Sequence, residues 1–289
     1  MIRLFYRILV YCSEKYGIWV FYAAVRTIAA GYFLFFPPRV AVSVRFYRTL
    51  FPGRPAWYHI WCAWRQFHSF THLYVDRYLL EHKNRITYTA SGLEHLKACI
   101  KAGTGGILLM SHVGNWEVAA RLLKEQGVPL LLVMGEKQNE QIEGAQKQSL
   151  RKSGVRVIAG QNRQGSPMEI IEAMAYLRKG WILSMAGDRF RDANQAYVET
   201  TFFNRPVRLP RAPFALAAAT KAPIYVFFAV RTGAHHYSFI IHPPIAPAGK
   251  KGPGRDRQIA DAARQYARLL EQAVLAHPCQ WHHFEPFIR

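Results

Sequence analysis

The stretch Gly105-Gly106-Ile107-Leu108-Leu109-Met110-Ser111-His112-Val113-Gly114-Asn115-Trp116-Glu117 constrains this chain more than any other, because it packs a strand, a tight bend and a helix start into one short segment. Residues 107–110 form an apolar run opened by a glycine pair, the pattern of a strand covered on both faces. Beyond the bend, Trp116, Ala119, Ala120 and Leu123 recur at i, i+3, i+4 and i+7, and Gly127 stands where a helix C-cap belongs. A strand with two apolar faces needs neighbouring strands at its sides and helices above and below it. The segment therefore demands an α/β architecture.

The rest of the chain from residue 85 repeats that unit. Strand patterns at 86–88, 107–110, 128–133, 155–158 and 181–185 alternate with helical patterns at 93–102, from 116, at 140–153 and at 167–179. This alternation predicts a mainly parallel central sheet covered by helices. Residues 202–211 read as a turn-rich loop carrying three arginines, followed by a small-residue helix over 212–220. Residues 224–230 and 236–241 read as a closing pair of strands. Ile259, Ala262, Ala263, Tyr266, Leu269, Leu270 and Ala273 then keep helical period to Ala276.

The segment before residue 56 is different in kind. Arg3, Arg7, Lys15, Arg26, Arg39, Arg45, Arg48 and Arg54 face only Glu14, and residues 17–36 are almost wholly apolar. Twenty such residues match a bilayer, but Arg26 near the middle costs about 2.5–3.5 kcal/mol on insertion. The expectation is a membrane-associated helical segment over 1–55, lying in the interface or spanning, joined to a catalytic domain over 56–289. Within 56–82, Trp57, Trp61, Trp64, Phe67, Phe70 and Tyr74 lie at near-helical spacing and predict one aromatic face. His68 and His72 are at i, i+4 without the intervening Glu of a zinc-protease helix, so no metal is expected there.

A net charge of +20 asks for polyanionic partners. Zinc-finger spacing, an aromatic RNA-binding signature and a dense basic tail are all missing, so an anionic membrane surface fits better than nucleic acid. Four cysteines without paired or metal-like spacing read as reduced thiols. Neither nucleotide-binding glycine fingerprint nor nucleophile elbow is present.

The chemistry centres on His112. Glu117 follows five residues later, and on one regular helix the two side chains would point about 140° apart. A bend at Val113 and Gly114, with Ser111 or Asn115 as N-cap, leaves His112 at the strand end and Glu117 in the first helical turn. The Glu117 carboxylate can then accept one imidazole proton and leave the other nitrogen free as a base. Spacing alone carries little weight: 12 histidines and 18 acidic residues in 289 make roughly one such pair by chance. The context carries more, since open α/β folds keep their sites where strand ends meet helix N-termini. The alternative role for Glu117 is a pair with Arg121 at i, i+4.

Ser-His-Val-Gly-Asn-Trp-Glu resembles the His-four-residues-Glu signature of the bacterial lipid A biosynthesis late acyltransferases, relatives of the glycerolipid acyltransferases. The resemblance continues through Gly180-Trp181, Ala186-Gly187-Asp188-Arg189, residues 202–206, Pro210-Arg211-Ala212-Pro213, Lys221-Ala222-Pro223 and Pro278-Cys279-Gln280-Trp281. It implies a glycerolipid-acyltransferase-like fold and His112 and Glu117 as the catalytic dyad. It further implies acceptor binding by basic residues in loops at the same sheet edge, which makes Lys137 and Arg189 binders. Asp188 is expected to orient Arg189 or a backbone donor, and Arg208 or Arg211 to meet a phosphate. Relatives often carry Asp-Gln-Asp where this chain has Gly187-Asp188-Arg189.

The reaction expected is direct transfer of a fatty acyl group to a hydroxyl of a membrane glycolipid such as a lipid A precursor. No acyl-enzyme is needed, because no Ser or Cys is evidently paired with the base. The resemblance implies acyl carrier protein as donor, with a coenzyme A thioester as the alternative, no cofactor beyond that co-substrate, and a place on the cytoplasmic face of the bacterial inner membrane. Ornithine-type, polyene and lysophospholipid acceptors stay open, as does a non-enzymatic basic membrane-binding protein.

Overall fold

A computed structural model describes residues 2–82, 86–134, 148, 150–159, 167–190, 194–246 and 254–288. Five helices come first: α1 Ile2–Tyr16, α2 Trp19–Phe35, α3 Pro37–Leu50, α4 Ala56–Phe70 and α5 His72–His82. Gly17, at φ 105°, separates α1 from α2. Pro37 and Pro38 occupy the first turn of α3, where a missing N–H costs nothing, and force a bend of 89° after α2. Among the described residues no single helix is long and apolar enough to cross a membrane; α2 and α3 pass that test only as the bent pair. Across the expected boundary at residue 55, α3 packs on α4, and the buried Tyr47 hydroxyl donates to the Pro278 carbonyl at 2.9 Å.

The chain then alternates: β1 Thr87–Ser91, α6 Leu93–Lys101, β2 Gly106–Gly114, α7 Trp116–Glu125, β3 Leu130–Met134, β4 Arg156–Ala159, α8 Pro167–Arg178 and β5 Ile182–Ala186. It closes with β6 Tyr197–Phe202, β7 Arg205–Pro210, α9 Ala212–Thr220, β8 Ile224–Arg231, β9 His236–Ile241 and α10 Gly254–Ala276. Seven strands form one sheet in the order β1-β9-β8-β2-β5-β3-β4. Every neighbouring pair is parallel except β8 with β9. The α/β reading with a mainly parallel, helix-covered sheet is what the structure has.

Strand periodicity sorts the centre of the molecule into two cores. Ile107 and Leu109 face one side with Phe214, Tyr266 and Leu270; Leu108 and Met110 face the other with Val118, Ala119 and Phe227. Each such fully buried large side chain contributes about 1.5–3 kcal/mol. Because β2 is apolar on both faces, it can only sit inside the sheet, between β5 and β8.

Residues 202–211, expected to be a loop, are instead largely strand. β6 and β7 pair antiparallel as a separate hairpin whose turn is Phe203-Asn204, at φ 49° and 57°. Two consecutive positive φ values suit the right-handed twist of a two-residue hairpin. No Asn-Gly or Asp-Gly marks the turn in the sequence, which is why the strands were hidden.

Candidate active site

The pairing around β2 breaks at one place. On the β5 side the ladder runs from Gly106↔Ile182 to Met110↔Ala186 and stops. On the β8 side Met110 faces Phe227 but Gly114 faces Ala229, so β2 places four residue steps against two and bulges over Ser111–Val113. Gly114 closes the bulge at φ 74°, its Cα so near Ala229 that a Cβ would lie 1.8 Å from that carbonyl oxygen. Only glycine fits. Asn115 then caps α7, its Oδ1 accepting the Glu117 and Val118 amides at 3.2 and 3.3 Å.

His112 sits in this bulge, where the next sheet hydrogen bond from β2 to β5 would fall. A side chain takes that bond. Asp188, two residues past the end of β5, accepts the His112 backbone amide on Oδ2 at 2.8 Å and the ring Nδ1 on Oδ1 at 2.9 Å. Trp281 Nε1 donates to the same Oδ2 at 2.9 Å. One carboxylate therefore fixes both backbone and ring of His112. Burial of Asp188 would push its pKa up; the His112 imidazole, acting through charge and hydrogen bonds, overrides it and holds the carboxyl well below the usual range. An ionised carboxylate only accepts, so Nδ1 carries the proton and Nε2 is the basic nitrogen. The Asp188 side chain is fully buried, while that of His112 is 20% exposed.

Glu117, expected to hold the imidazole, does not. Its oxygens receive Arg77 Nε at 2.8 Å and Arg77 Nη2 at 2.5 Å, and Arg121 Nη2 reaches Oε1 at 3.3 Å. Glu117 is buried in the first turn of α7, where its carboxylate meets α5. Its partner Arg77 lies in α5, which no local spacing announces, and the Arg121 pair at i, i+4 is the alternative that the sequence offered. Arg121 also binds Glu81 at 3.1 Å, so the acid ties α7 to α5.

The other expected residues scatter. Arg189 pairs with Glu285 at 3.1 Å, close in sequence to Asp188 but turned to the C-terminal segment. Arg208 pairs with Glu199 at 3.1 Å and lies 3.8 Å over the Tyr197 ring; Arg211 pairs with Asp256 at 2.6 Å. Neither shares a hydrogen bond or ion pair with His112 or Asp188 among the described residues. Lys137 lies outside the described residues.

Sequence reasoning quoted residues 278–281 for their resemblance alone and gave the segment after α10 no part in the site. Val113 bridges Trp281, and the His282 amide donates to the His112 carbonyl at 2.8 Å. The Trp281 ring is buried against Phe46, Phe202 and Phe287. His282 meets Phe70 at 5.4 Å, and Phe284 meets Phe67 and Phe70 at 4.8 and 5.4 Å. The inner part of the aromatic face expected on α4 thus abuts the His112–Asp188 pair through residues 282–284, while Trp57 and Trp61 face outward. Burial first, then the nearby His112 charge, lowers His282 to about 3. Burial lowers His283 to about 4, with Asp188 opposing. Both rings are neutral at neutral pH.

A second buried polar chain backs the bend. Asn115 Nδ2 donates to the Tyr237 hydroxyl at 3.4 Å, Tyr237 donates to Asp76, and Arg231 Nε lies 3.3 Å from the same Asp76 oxygen. Nothing in local sequence connects these four residues; they meet only because α5 lies over β8 and β9.

Comparison with known proteins adds an independent observation. The family model described as bacterial lipid A biosynthesis acyltransferase matches residues 74–288. A phosphatidylinositol mannoside acyltransferase of Mycobacterium tuberculosis is 26% identical over 198 residues, 68% of this chain and 58% of that protein. A phosphatidylinositol mannoside acyltransferase of Mycolicibacterium smegmatis is 23% identical over 195 residues, 67% of this chain and 60% of its own length. The match therefore spans about three fifths of these relatives.

Proposed function

Because this chain belongs to the bacterial lipid A biosynthesis acyltransferase family, we propose that it is a membrane-associated acyltransferase that moves a fatty acyl group from a thioester to a hydroxyl of a membrane glycolipid. The observation that carries the reading is the clamp of Asp188 on His112, which leaves Nε2 as a base at a partly exposed position. His112 Nε2 takes the proton of the acceptor hydroxyl as its oxygen attacks the thioester carbon. The C–S bond then breaks, the imidazolium returns its proton to the departing thiolate, and an ester and a thiol leave. Asp188, not Glu117, stabilises the imidazolium. General-base catalysis of this kind contributes about 10²–10⁴ in rate.

The donor is an acyl carrier protein thioester, a reading supported by the net charge of +20, which suits an acidic carrier. The acceptor is a glycolipid of the lipid A precursor or phosphatidylinositol mannoside kind, presented at the cytoplasmic face of a bacterial inner membrane. Exposed Trp19, Ile28, Leu34, Phe35, Phe36 and Trp57, among the basic residues of α1–α4, support an interfacial seat. Lys137, Arg189, Arg208 and Arg211 remain proposed acceptor contacts. The three arginines would first have to exchange a carboxylate for the acceptor.

The test is purified protein incubated with acyl carrier protein or coenzyme A thioesters and each glycolipid, with products read by mass spectrometry. His112→Ala is expected to lose at least about 100-fold in kcat. Wild-type turnover in that variant would remove His112 from the reaction.

A further inference from the structure

A cavity of about 150 Å³ with Trp281 in its wall opens between α3, β7 and residues 281–288. Two arginines from different elements, Arg45 of α3 and Arg205 of β7, line it together with Trp281, His283 and Glu285. Glu285 is occupied by Arg189 at 3.1 Å. Arg45 and Arg205 have no carboxylate partner among the described residues. Two uncompensated guanidinium groups therefore share one concavity. Phe46 and Phe287 flank the indole of Trp281 at centroid distances of 5.0 Å each and line the cavity with it, beside the polar Thr49 and His283.

A recess carrying two unpaired guanidinium forks, its one lining carboxylate already held by Arg189, is complementary to a tetrahedral oxyanion, which each fork can bind through two parallel N–H donors. The volume is about ten times that needed for one water. Trp281 joins this recess to the chemistry, because the same indole donates its N–H to Asp188.

We propose that the cavity is a phosphate subsite in which Arg45 and Arg205 hold the phosphate of a phosphorylated substrate and so set its distance from His112. The inference rests on the acyltransferase reading and deepens it. The phosphate can come from the pantetheine arm of the thioester donor or from the phosphodiester of the lipid acceptor, and the chemistry of the pocket is the same for both.

The experiment is calorimetric titration of the full chain with two probes: 4′-phosphopantetheine, and phosphatidylinositol in neutral detergent micelles with diacylglycerol in the same micelles as control. Wild type is expected to bind one phosphorylated probe and not the control. Arg45→Gln and Arg205→Gln are each expected to weaken that binding about tenfold, and the double variant further. Replacement of both by lysine, which keeps charge without the fork, is expected to fall between. Both side chains are exposed, so thermal midpoints should stay at the wild-type value; the single variants carry the same expectation by themselves. Binding of phosphopantetheine assigns the subsite to the donor, and binding of phosphatidylinositol assigns it to the acceptor. Wild-type affinity in the double variant, or no binding of either probe by wild type, overturns the proposal. Binding is read without turnover. A protein that binds the probe yet transfers no acyl group sinks the enzymatic reading alone.

Discussion

Asp188 binds the amide and the imidazole of one residue with its two oxygens, and this makes it the position where substitution separates geometry from charge. Asp188→Asn keeps the size but removes the charge and cannot accept all three donors, so an amide N–H turned to the ring releases its fixed tautomer and one turned the other way meets the His112 amide and Trp281. A fall in kcat of about 10²–10⁴ is expected, with little change in KM, measured in the acyl-transfer assay. Glu117→Gln is expected to do the opposite. It leaves Arg77 and Arg121 buried beside a neutral amide, so unfolding free energy should fall by about 3–5 kcal/mol in urea titration, while kcat per folded molecule changes little. The two residues were legible to different degrees. His112 stood out because a bend between an apolar strand and an amphipathic helix is visible locally. Its partner lies 76 positions away, and the available signal was topological: Asp188 follows the end of β5, which the alternation already set beside β2. The spacing to Glu117 was the more conspicuous cue and the wrong one, because α5 supplies a stronger partner for that acid.

At the scale of elements, the α7 cap has two duties. Asn115 accepts two amides of α7 with its oxygen and donates to Tyr237 with its nitrogen. Asn115→Ala is expected to cost about 1–2 kcal/mol in thermal unfolding, at the upper end for a cap because Tyr237 loses a partner too. Asn115→Asp, which keeps the acceptor, should recover part of that loss. The helices and strands of the α/β core were readable because their apolar periods differ, 3.6 against continuous runs. The β6–β7 hairpin was not. Its outward residues include Glu199, Arg205 and Arg208, its strands alternate only weakly, and its turn depends on Phe203 adopting a φ of 49° that aromatic residues seldom take.

Across the whole molecule, acid stability carries a signature. His282 is buried and His283 half-buried, and desolvation lowers their pKa values from 6.5 to about 3 and about 4. Below pH 6.5 the unfolded chain takes up protons that the folded rings refuse, so stability falls as pH drops from 6.5 toward 4. The slope is at most about 1.4 kcal/mol per pH unit for each ring. Asp188, whose folded pKa lies below the ordinary 3.8, has the other window: its contribution is full above 3.8 and is lost only under it. Urea midpoints between pH 7 and pH 5 should therefore decline in wild type and decline less in His282→Gln. A flat profile in wild type would contradict the burial of these rings. The proposed membrane seat rests on charge and exposed apolar side chains alone. What the linear chain hid is the bend at Phe36, which ends the apolar α2 after 17 residues and sets α3 at 89° to it.

The segment that carries Trp281 and His282 gives the protein a timetable. Until synthesis has passed Trp281, the buried Asp188 lacks one of its three donors and the His112 carbonyl lacks the amide that tethers the bulge. Every strand of the seven-stranded sheet precedes Trp281 in the chain, so a nascent chain that ends before it holds the residues of the whole sheet and still lacks the two contacts that complete the surroundings of His112.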